Sequence, residues 1–380
     1  MKRYLQDTIR EDSDSKIILI SGARQCGKTT LSKNLFSTFS YLNYDLSEDR
    51  EALAKKYWRR DVEGVIFDEL HKMREWKRWI KGVYDTEGLM PRLIVTGSAN
   101  LEAFTKVGDS LAGRYFQFRL HPIDIKEGVK EGGQDCQTVA KKLLTVSGFP
   151  EPFLKGSSLF YRRWRKTHLD VILRQDFIDF SAIRSIKSIE LLVDLLAKRV
   201  ASPISFRNLA QDLQVDSKTV QSWIVLLENF YALFRVTPYH HNIARSILKE
   251  PKVYFFDIPR VQDEGGRIEN LVACALLKEV QYLEDTQGLN ARLHYLRTKD
   301  GKEVDFLIVV DEKPVFCCEV KTSHTAPSKA LSFFQEQLGL QKVTQLVFNG
   351  AQEFDTPGGV QVRNLAKFLS TFSLNDYIST

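Results

Sequence analysis

The stretch "GARQCGKT", from Gly22 to Thr29, follows the apolar run "KIILIS" and precedes a helical pattern that contains Leu31 and Leu35. It fits the spacing G-x-x-x-x-G-K-[ST] between a predicted strand and a predicted helix. Glycines let such a loop turn its backbone N–H groups inward around a phosphate, and the helix that follows adds its positive end. The stretch therefore predicts a phosphate-binding loop at the start of an α/β domain.

The side chains of this loop have predicted roles in binding a nucleoside triphosphate. Lys28 is expected to reach the β- and γ-phosphates, and the Thr29 hydroxyl is expected to ligate Mg²⁺. The alternative is a glycine turn that happens to contain Lys-Thr. The predicted nucleotide-binding set comprises Gly22, Arg24, Gly27, Lys28, Thr29 and Thr30.

A second motif, "VIFDEL", ends an apolar strand in the acids Asp68 and Glu69. A strand end of this kind places Asp68 beside Mg²⁺ and lets Glu69 polarise the attacking water. A GTPase-style switch does not need the second acid, so the adjacent acids favour ATP hydrolysis. The simpler interpretation is a pair of acids that solvate the end of a strand.

Two further stretches contribute candidate catalytic residues. "IVTGSAN" ends a strand with Thr96 and Ser98, and Ser98 would sense the γ-phosphate, orient the water, or serve only the turn. "LAGRYF" places Arg114 just before another strand. Arg114 is a candidate arginine finger, acting in cis or from a neighbouring protomer, or an ordinary surface arginine.

The alternation of strands and helices defines the predicted fold class. In the first third, five predicted strands, the first four separated by helical stretches, predict a parallel sheet with helices on both faces. The middle is mainly helical, with a helix-turn-helix pattern formed by Phe206–Leu213 and a helix from Ser217, and the last third is again α/β. We expect three domains, at residues 1–130, 131–250 and 251–380. The predicted strands of the first domain are "KIILIS", "YLNYDL", "GVIFDEL", "RLIVTGS" and "RYFQFRL".

The succession "GARQCGKTTL", "VIFDELHK", "IVTGSANLE", "LAGRYFQFRLHPID" and "GFPEPF" resembles a family of prokaryotic ATPases. These join an AAA-type P-loop domain to a C-terminal domain of unknown function with a nuclease-like core. The segments "KVYFFD", "GRIENLVACALLKE", "YLRTKDGKEVDFLI" and "CEVKTS" also match that family. The resemblance implies ATP and Mg²⁺ as cofactors, and a helical and winged-helix region before a restriction-endonuclease-like domain. Ala23, Cys26 and His71 replace the Pro, Val and Gln that are common in the family.

The C-terminal stretch "GKEVDFLIVVDEKPVFCCEVKTS" places charged residues on two neighbouring strands. A hairpin turning around Glu312 would set Asp305 opposite Glu319, with Lys321 on the same face. Adjacent carboxylates repel unless a cation lies between them, and Mg²⁺ there would activate water against a phosphodiester. Asp followed by Glu-x-Lys resembles the core of restriction-type nucleases, and the resemblance adds Glu269 as a further metal-binding acid and Lys321 as a catalytic residue. The alternative is a surface hairpin whose charges face water.

Composition limits the classes of function. With 380 residues, 43% of them hydrophobic and 27% charged, the chain is expected to be globular and multidomain. The net charge of +6 permits DNA or RNA as a partner without requiring it. No apolar run reaches the ~20 residues needed to cross a bilayer, and the start of the chain does not resemble a signal peptide. We therefore expect a cytoplasmic protein with reduced cysteines and no membrane partner, and a homo-oligomer if Arg114 acts in trans.

Two functions are compatible with these patterns. The first is an ATPase whose nucleotide state moves a winged-helix and nuclease-like module acting on nucleic acid. The aromatic residues of the basic stretch "YRRWRK" would then stack on bases, unless Trp164 turns inward. In the helix-turn-helix pattern, Lys218 is the one basic residue of the second helix. The second is an ATP-dependent regulatory switch that recruits a protein partner and has a catalytically inactive C-terminal domain.

Overall fold

The computed structural model describes residues 1–98, 111, 113–172, 186–240, 250–323, 326–350 and 352–378. The chain forms two compact units. The first comprises Met1–Pro122 and Asn229–Tyr231, and the second comprises Ile123–Glu228 and Ala232–Thr380. The division between the units lies close to the predicted boundary at residue 130, whereas the predicted boundary at residue 250 falls inside the second unit.

The first unit is an α/β domain. Within the described residues its strands form one parallel sheet in the order β2-β3-β4-β1-β5. The five strands predicted from the sequence are thus confirmed. Since the carboxyl ends of parallel strands meet at one edge of a sheet, the residues that end β1, β3 and β4 lie side by side. The elements are α1 (Gln6–Asp12), β1 (Ile17–Gly22), α2 (Lys28–Lys33), β2 (Phe39–Asn43), α3 (Ser47–Lys55), β3 (Gly64–Asp68), α4 (Trp76–Glu87), β4 (Arg92–Gly97) and β5 (Tyr115–Leu120).

An apolar core fixes these strands. Every residue of β1 and β3 is buried, as expected for strands covered on both faces of a parallel sheet. The Phe67 ring lies edge-on to Trp58 and Trp79, at centroid distances of 5.3 and 5.4 Å. Each large apolar side chain buried in this way contributes roughly 1.5–3 kcal/mol, so the end of β3 is held rigidly.

The second unit combines a helical region with a mixed sheet. Its elements are α5 (Ile125–Gly132), α6 (Cys136–Val146), α7 (Pro150–Lys155), α8 (Ser158–Val171), α9 (Ile186–Ala197), α10 (Phe206–Leu213), α11 (Ser217–Asn229), β6 (Leu233–Pro238), β7 (Lys252–Phe255), α12 (Glu264–Gln287), β8 (Ala291–Arg297), β9 (Glu303–Val310), β10 (Lys313–Lys321), α13 (Lys329–Leu338), β11 (Val343–Val347), β12 (Phe354–Asp355), β13 (Val360–Asn364), α14 (Leu365–Thr371) and α15 (Asn375–Ile378). Helix α11 ends at Asn229, which is counted with the first unit.

The described strands of the second unit form one sheet, in the order β12-β13-β11-β10-β9-β8-β6-β7. Strand β6 pairs with β7 in antiparallel and with β8 in parallel orientation. Because β6 comes from the helical middle of the sequence and β8 from its last third, a continuous sheet crosses the predicted boundary at residue 250. This pairing is the physical reason that the two predicted domains form one unit. The residues just before this boundary, 241–249, lie outside the described residues.

The helix-turn-helix pattern predicted in the middle of the chain is present as two helices. Helices α10 and α11 are separated by Gln214–Asp216, and Asp216 accepts a hydrogen bond from the Thr219 N–H at 2.8 Å. The antiparallel pair β6 and β7 follows in sequence. Among the described helices of both units, none is both long and apolar enough to span a bilayer.

Candidate functional site

The phosphate-binding loop joins the end of β1 to the start of α2, as predicted. Gly22 has φ of +149°, and a Cβ at this position would lie 2.4 Å from the Leu120 carbonyl oxygen. Gly27, with φ of +97°, directly precedes the helix. Both residues adopt backbone conformations that a side chain would strain, so the loop requires glycine at these positions.

Lys28 points back into the loop. Its side chain is buried, and its ammonium donates hydrogen bonds to the carbonyl oxygens of Gly22 and Ala23, both at 2.9 Å. The contacts hold a positive charge inside the curve of the loop, where a phosphate group would gain charge-assisted hydrogen bonds. Arg24 is half-buried in the same loop, and Thr30 is exposed in the first turn of α2.

The Asp68 carboxylate is buried and held by hydroxyl groups from three elements. Its Oδ2 accepts hydrogen bonds from the Thr29 hydroxyl at 2.8 Å and from the Tyr41 hydroxyl at 2.6 Å. Its Oδ1 accepts one from the Thr96 hydroxyl. Burial and the hydrogen bond to Asp68 raise the pKa of Tyr41, which therefore stays a neutral donor. The structure brings together the predicted pair Thr29 and Asp68 and adds Tyr41, which the sequence patterns missed.

The residues present fit a magnesium ion bound together with a nucleotide. Thr29 and Asp68 present a hydroxyl and a carboxylate at hydrogen-bonding distance from each other. Mg²⁺ commonly takes one or two protein oxygens and completes its shell with phosphate oxygens and water. Such an ion would neutralise phosphate charge, and Thr29 and Asp68 are the residues that would hold it.

Glu69 directly follows β3 and has a left-handed backbone conformation, with φ of +56°. The Ser98 hydroxyl donates to its Oε2 at 3.1 Å, so two predicted catalytic residues are in contact. Lys72 Nζ and His71 Nε2 lie 3.6 and 3.8 Å from the same oxygen. Burial lowers the pKa of His71, and its Nδ1 has no hydrogen-bond partner among the described residues. A largely neutral histidine therefore lies beside the predicted general base.

Arg114 lies away from the phosphate-binding loop of its own chain. The next residue, Tyr115, is opposite Ile17 at the start of β1, whereas the loop begins at Gly22, where β1 ends. At about 3.3 Å per residue, the two ends of this strand are roughly 17 Å apart. The Arg114 Nε is 3.0 Å from Asp85 Oδ1. The predicted cis role is therefore inconsistent with the parallel sheet, and a role toward a neighbouring protomer stays a prediction.

The hairpin of the predicted C-terminal acids turns at Asp311 and Glu312, both with positive φ. Beyond a register shift between Pro314 and Phe316, Cys318 lies opposite Phe306, which is the register that the sequence predicted. Cys318 and Phe306 are the last paired residues of these two strands. At the next position the Asp305 Oδ2 accepts a hydrogen bond from the Val320 N–H at 2.8 Å.

The acids of the second unit have internal cations as partners. Lys321 Nζ is 2.5 Å from Glu319 Oε1. Glu269, on α12, accepts a hydrogen bond from Lys252 Nζ at 3.2 Å, and Lys252 Nζ is 3.5 Å from Asp305 Oδ1. The residues that the structure describes include no group of three or more His, Cys, Asp or Glu side chains arranged to hold a metal. Lys252 lies between Glu269 and Asp305, and the metal-binding role of Asp305, Glu319 and Glu269 stays a prediction.

The basic stretch on α8 exposes its charges and buries its aromatic rings. Tyr161 and Trp164 are buried, and the Trp164 ring stacks on His168 at a centroid distance of 4.3 Å. The rings are therefore not presented to bases, and the inward orientation of Trp164 is confirmed. The exposed cations of this stretch are Arg162, Arg163 and Lys166.

Tyr41 and Lys252 are the contacts that sequence reasoning missed. Tyr41 lies in a strand whose pattern gives no sign that its hydroxyl reaches Asp68, because this contact crosses to the neighbouring strand. For Lys252 a weak signal existed, since a lysine stands directly before the apolar run "VYFF".

Three family models match successive parts of the chain. Residues 14–129 match an AAA domain. Residues 138–259 match a domain of unknown function (DUF8612), and residues 264–368 match another domain of unknown function (DUF4143). The matched segments follow the order of the three predicted domains, and the descriptions of the last two assign no activity.

Similar proteins extend over most of the chain. An uncharacterized protein of Methanocaldococcus jannaschii is 22% identical over 360 residues, covering 85% of this chain and 79% of that protein. An uncharacterized protein of Mycobacterium tuberculosis is 22% identical over 375 residues, covering 96% and 83%. Among solved structures, a RuvB variant of Thermotoga maritima covers 61% of this chain and 86% of its own at 14% identity and a TM-score of 0.30. A STAND-class signal transduction ATPase with a tetratricopeptide repeat sensor, from Pyrococcus horikoshii, has a TM-score of 0.24 at 11% identity and covers 76% and 48%.

TM-scores of this size do not establish a shared fold, so the assignment rests on the matched AAA model and on the site itself. The parallel sheet, the glycine loop around Lys28, and the contact between Thr29 and Asp68 all lie within the matched segment. Residues 14–129 of this chain are similar to an AAA domain and form a parallel-sheet domain with a P-loop.

Proposed function

We propose that the first unit binds ATP with Mg²⁺ and hydrolyses it, and that its nucleotide state controls the second unit. The observation that carries this proposal is the hydrogen bond between Thr29 and Asp68 beside the buried ammonium of Lys28. These are the groups that a magnesium-bound triphosphate needs, and the parallel sheet delivers them from separate elements.

Each residue of the site has a defined role in this chemistry. Lys28 exchanges its two carbonyl partners for phosphate oxygens, and Thr29 and Asp68 hold the ion that neutralises phosphate charge. Glu69 accepts a proton from the attacking water, while the Ser98 hydroxyl orients the Glu69 carboxylate. The neutral state of His71 keeps a second positive charge away from Glu69.

A covalent connection supports coupling to the second unit. Residues Asn229–Tyr231 belong to the first unit, while the chain on either side of them belongs to the second. The Tyr231 hydroxyl donates to Ser21 Oγ at 2.9 Å, and Ser21 directly precedes Gly22. A movement of the loop on nucleotide binding would therefore be transmitted to a segment that continues into α11 and β6.

The hydrolysis test compares paired variants of the full chain. Lys28→Ala is expected to abolish binding of ATP, and Glu69→Gln to retain binding and lose turnover by a factor of about 10² or more. The matched controls are Lys55→Ala and Glu75→Gln, which change exposed residues of the same unit. Calorimetry measures binding and phosphate release measures turnover. Normal turnover by Glu69→Gln would show that its assigned role is wrong.

The role of the second unit has two candidates. Action on nucleic acid is favoured by the exposed cations of α8 and by Asp305, Glu319 and Lys321 on adjacent strands. Recruitment of a protein partner is favoured by Lys252, because its ammonium balances the negative charge of Glu269 and Asp305 from within the same unit. Incubation with DNA and RNA in Mg²⁺ or Mn²⁺ separates the two: cleavage that is lost in Asp305→Ala supports the first, and the absence of any nucleic-acid binding supports the second.

A further inference from the structure

Lys252 begins β7 and has no exposed surface. Its Nζ lies 2.7 Å from Glu303 Oε1, 3.2 Å from Glu269 Oε1 and 3.5 Å from Asp305 Oδ1. We refer to Glu269, Glu303 and Asp305 as the acid cluster. A buried ammonium is strongly unfavourable unless opposite charges surround it, so these carboxylates are what allows Lys252 to be buried.

The members of the acid cluster also have other donors. Asp305 Oδ2 accepts from a backbone N–H, and the Tyr254 hydroxyl donates at 2.6 Å to Glu269 Oε1, the oxygen that also accepts from Lys252. Arg297 Nη1 lies 3.4 Å from Glu303 Oε2. Each member of the cluster therefore already has a donor besides Lys252.

Glu319 lies next to the acid cluster and is compensated separately. Its Oε1 is paired with Lys321, and its Oε2 is buried with no hydrogen-bond partner among the described residues. An ion at Oε2 would also have to contact Asp305 to bridge two carboxylates. Asp305 gives one oxygen to Val320 and faces the ammonium of Lys252 with the other.

We propose that Lys252 is the built-in cation of the acid cluster and occupies the position that a divalent metal would need in order to contact two of its carboxylates. Mg²⁺ requires oxygens at about 2.1 Å in octahedral geometry, and an ammonium among the same oxygens repels it with little solvent between them. The ammonium of Lys252, rather than a metal ion, thus balances the negative charge of the acid cluster. The inference therefore favours the second candidate role of the second unit over metal-dependent cleavage that uses Asp305 and Glu269.

The test counts Mn²⁺ ions bound by the full-length protein in the absence of nucleotide. Electron paramagnetic resonance distinguishes free from bound Mn²⁺. An ion is assigned to the acid cluster when Asp305→Asn abolishes its binding, which separates it from any ion at Thr29 and Asp68. The wild-type protein is expected to bind no Asp305-dependent ion, and Lys252→Gln is expected to gain one. Lys313→Gln, an exposed lysine on β10, is the matched control and should gain none.

Two results would overturn the inference. One is an Asp305-dependent ion in the wild-type protein, and the other is a folded Lys252→Gln protein that gains no ion. If Lys252→Gln fails to fold, the melting temperature of the wild-type protein is measured in Mn²⁺ and in EDTA. An upward shift in Mn²⁺ that Asp305→Asn removes contradicts the inference. Equal melting temperatures in Mn²⁺ and in EDTA support it. No arm involves ATP, so failure of the proposed hydrolysis would leave this result unaffected.

Discussion

The Tyr41 hydroxyl donates to Asp68 Oδ2 at 2.6 Å, from one strand to the next, and the Thr29 hydroxyl donates to the same oxygen. The ring of Tyr41 is itself covered by Lys33 Nζ, 3.7 Å from its centroid. The edge strand β2 thus holds the orientation of a carboxylate that belongs to β3. This relationship makes Tyr41 a positioning residue for the proposed magnesium ligands.

Tyr41→Phe is expected to weaken the response of ATP hydrolysis to Mg²⁺. The variant keeps the ring and removes a hydrogen bond to a charged group, which is worth roughly 1.5–3 kcal/mol. We expect the half-saturating Mg²⁺ concentration to rise and kcat to fall by about tenfold, in line with ~1.4 kcal/mol. Steady-state assays over a Mg²⁺ series measure both. Tyr57→Phe, at a residue that is 80% exposed, should behave as wild type, and unchanged Mg²⁺ dependence of Tyr41→Phe would remove the assigned role.

Ser98→Ala is expected to lower kcat while leaving ATP affinity nearly unchanged. The serine hydroxyl contacts the Glu69 carboxylate, so its loss frees the base to adopt unproductive orientations. The decrease should be about tenfold, the equivalent of ~1.4 kcal/mol. Ser98→Thr keeps a hydroxyl and should restore most of the rate. A variant that changes only KM would show that Ser98 binds substrate instead.

His71→Gln is expected to reduce the pH dependence of stability. Burial lowers the pKa of His71 in the folded chain, whereas the unfolded chain takes up the proton near pH ~6.5. As pH falls through that value, the unfolded state binds more protons than the folded state, so the free energy of unfolding decreases. The decrease in melting temperature between about pH 8 and about pH 6 should therefore be larger for wild type than for the variant. Equal decreases would contradict this account.

Lys278→Met is expected to destabilise the second unit strongly. Lys278 is buried, and its Nζ lies 2.8 Å from Asp124 Oδ2 and 2.6 Å from Glu127 Oε2. Removing the ammonium takes this cation away from two buried carboxylates, at a cost of about 3–5 kcal/mol. Urea unfolding followed by tryptophan fluorescence measures the change. Lys126→Met breaks the more exposed pair with Glu279 and should cost less, and the reverse order would contradict the prediction.

Much of the first unit could be predicted because its signals are local. The five strands, the glycine loop, and the acids that end β3 each follow from a short stretch read with the periodicity of strands and helices. Parallel strands then bring Lys28, Thr29, Asp68 and Glu69 to one edge of the sheet. The roles of these residues stay predictions that the variants above test.

Other features could not be predicted because they depend on contacts between distant segments. Arg114 was a candidate arginine finger for its own chain until the parallel pairing of β5 with β1 placed it at the opposite end of the strand from the loop. Strand β6 was expected as a strand of the winged-helix region, yet it also pairs with β8 and joins two predicted domains into one unit.

The sequence by itself determined the glycine loop with Lys28 and the acid pair Asp68–Glu69 at a strand end, since these are set by spacing along one chain. The hairpin register near Asp305 was an assumption from the sequence, and the strands reach it only through the register shift between Pro314 and Phe316. Only the tertiary structure decided which cation lies among the acids of the second unit. Lys252 is about fifty residues from Asp305 in sequence, and only the fold of the second unit, in which β7 and β9 belong to one sheet, brings its ammonium to their carboxylates.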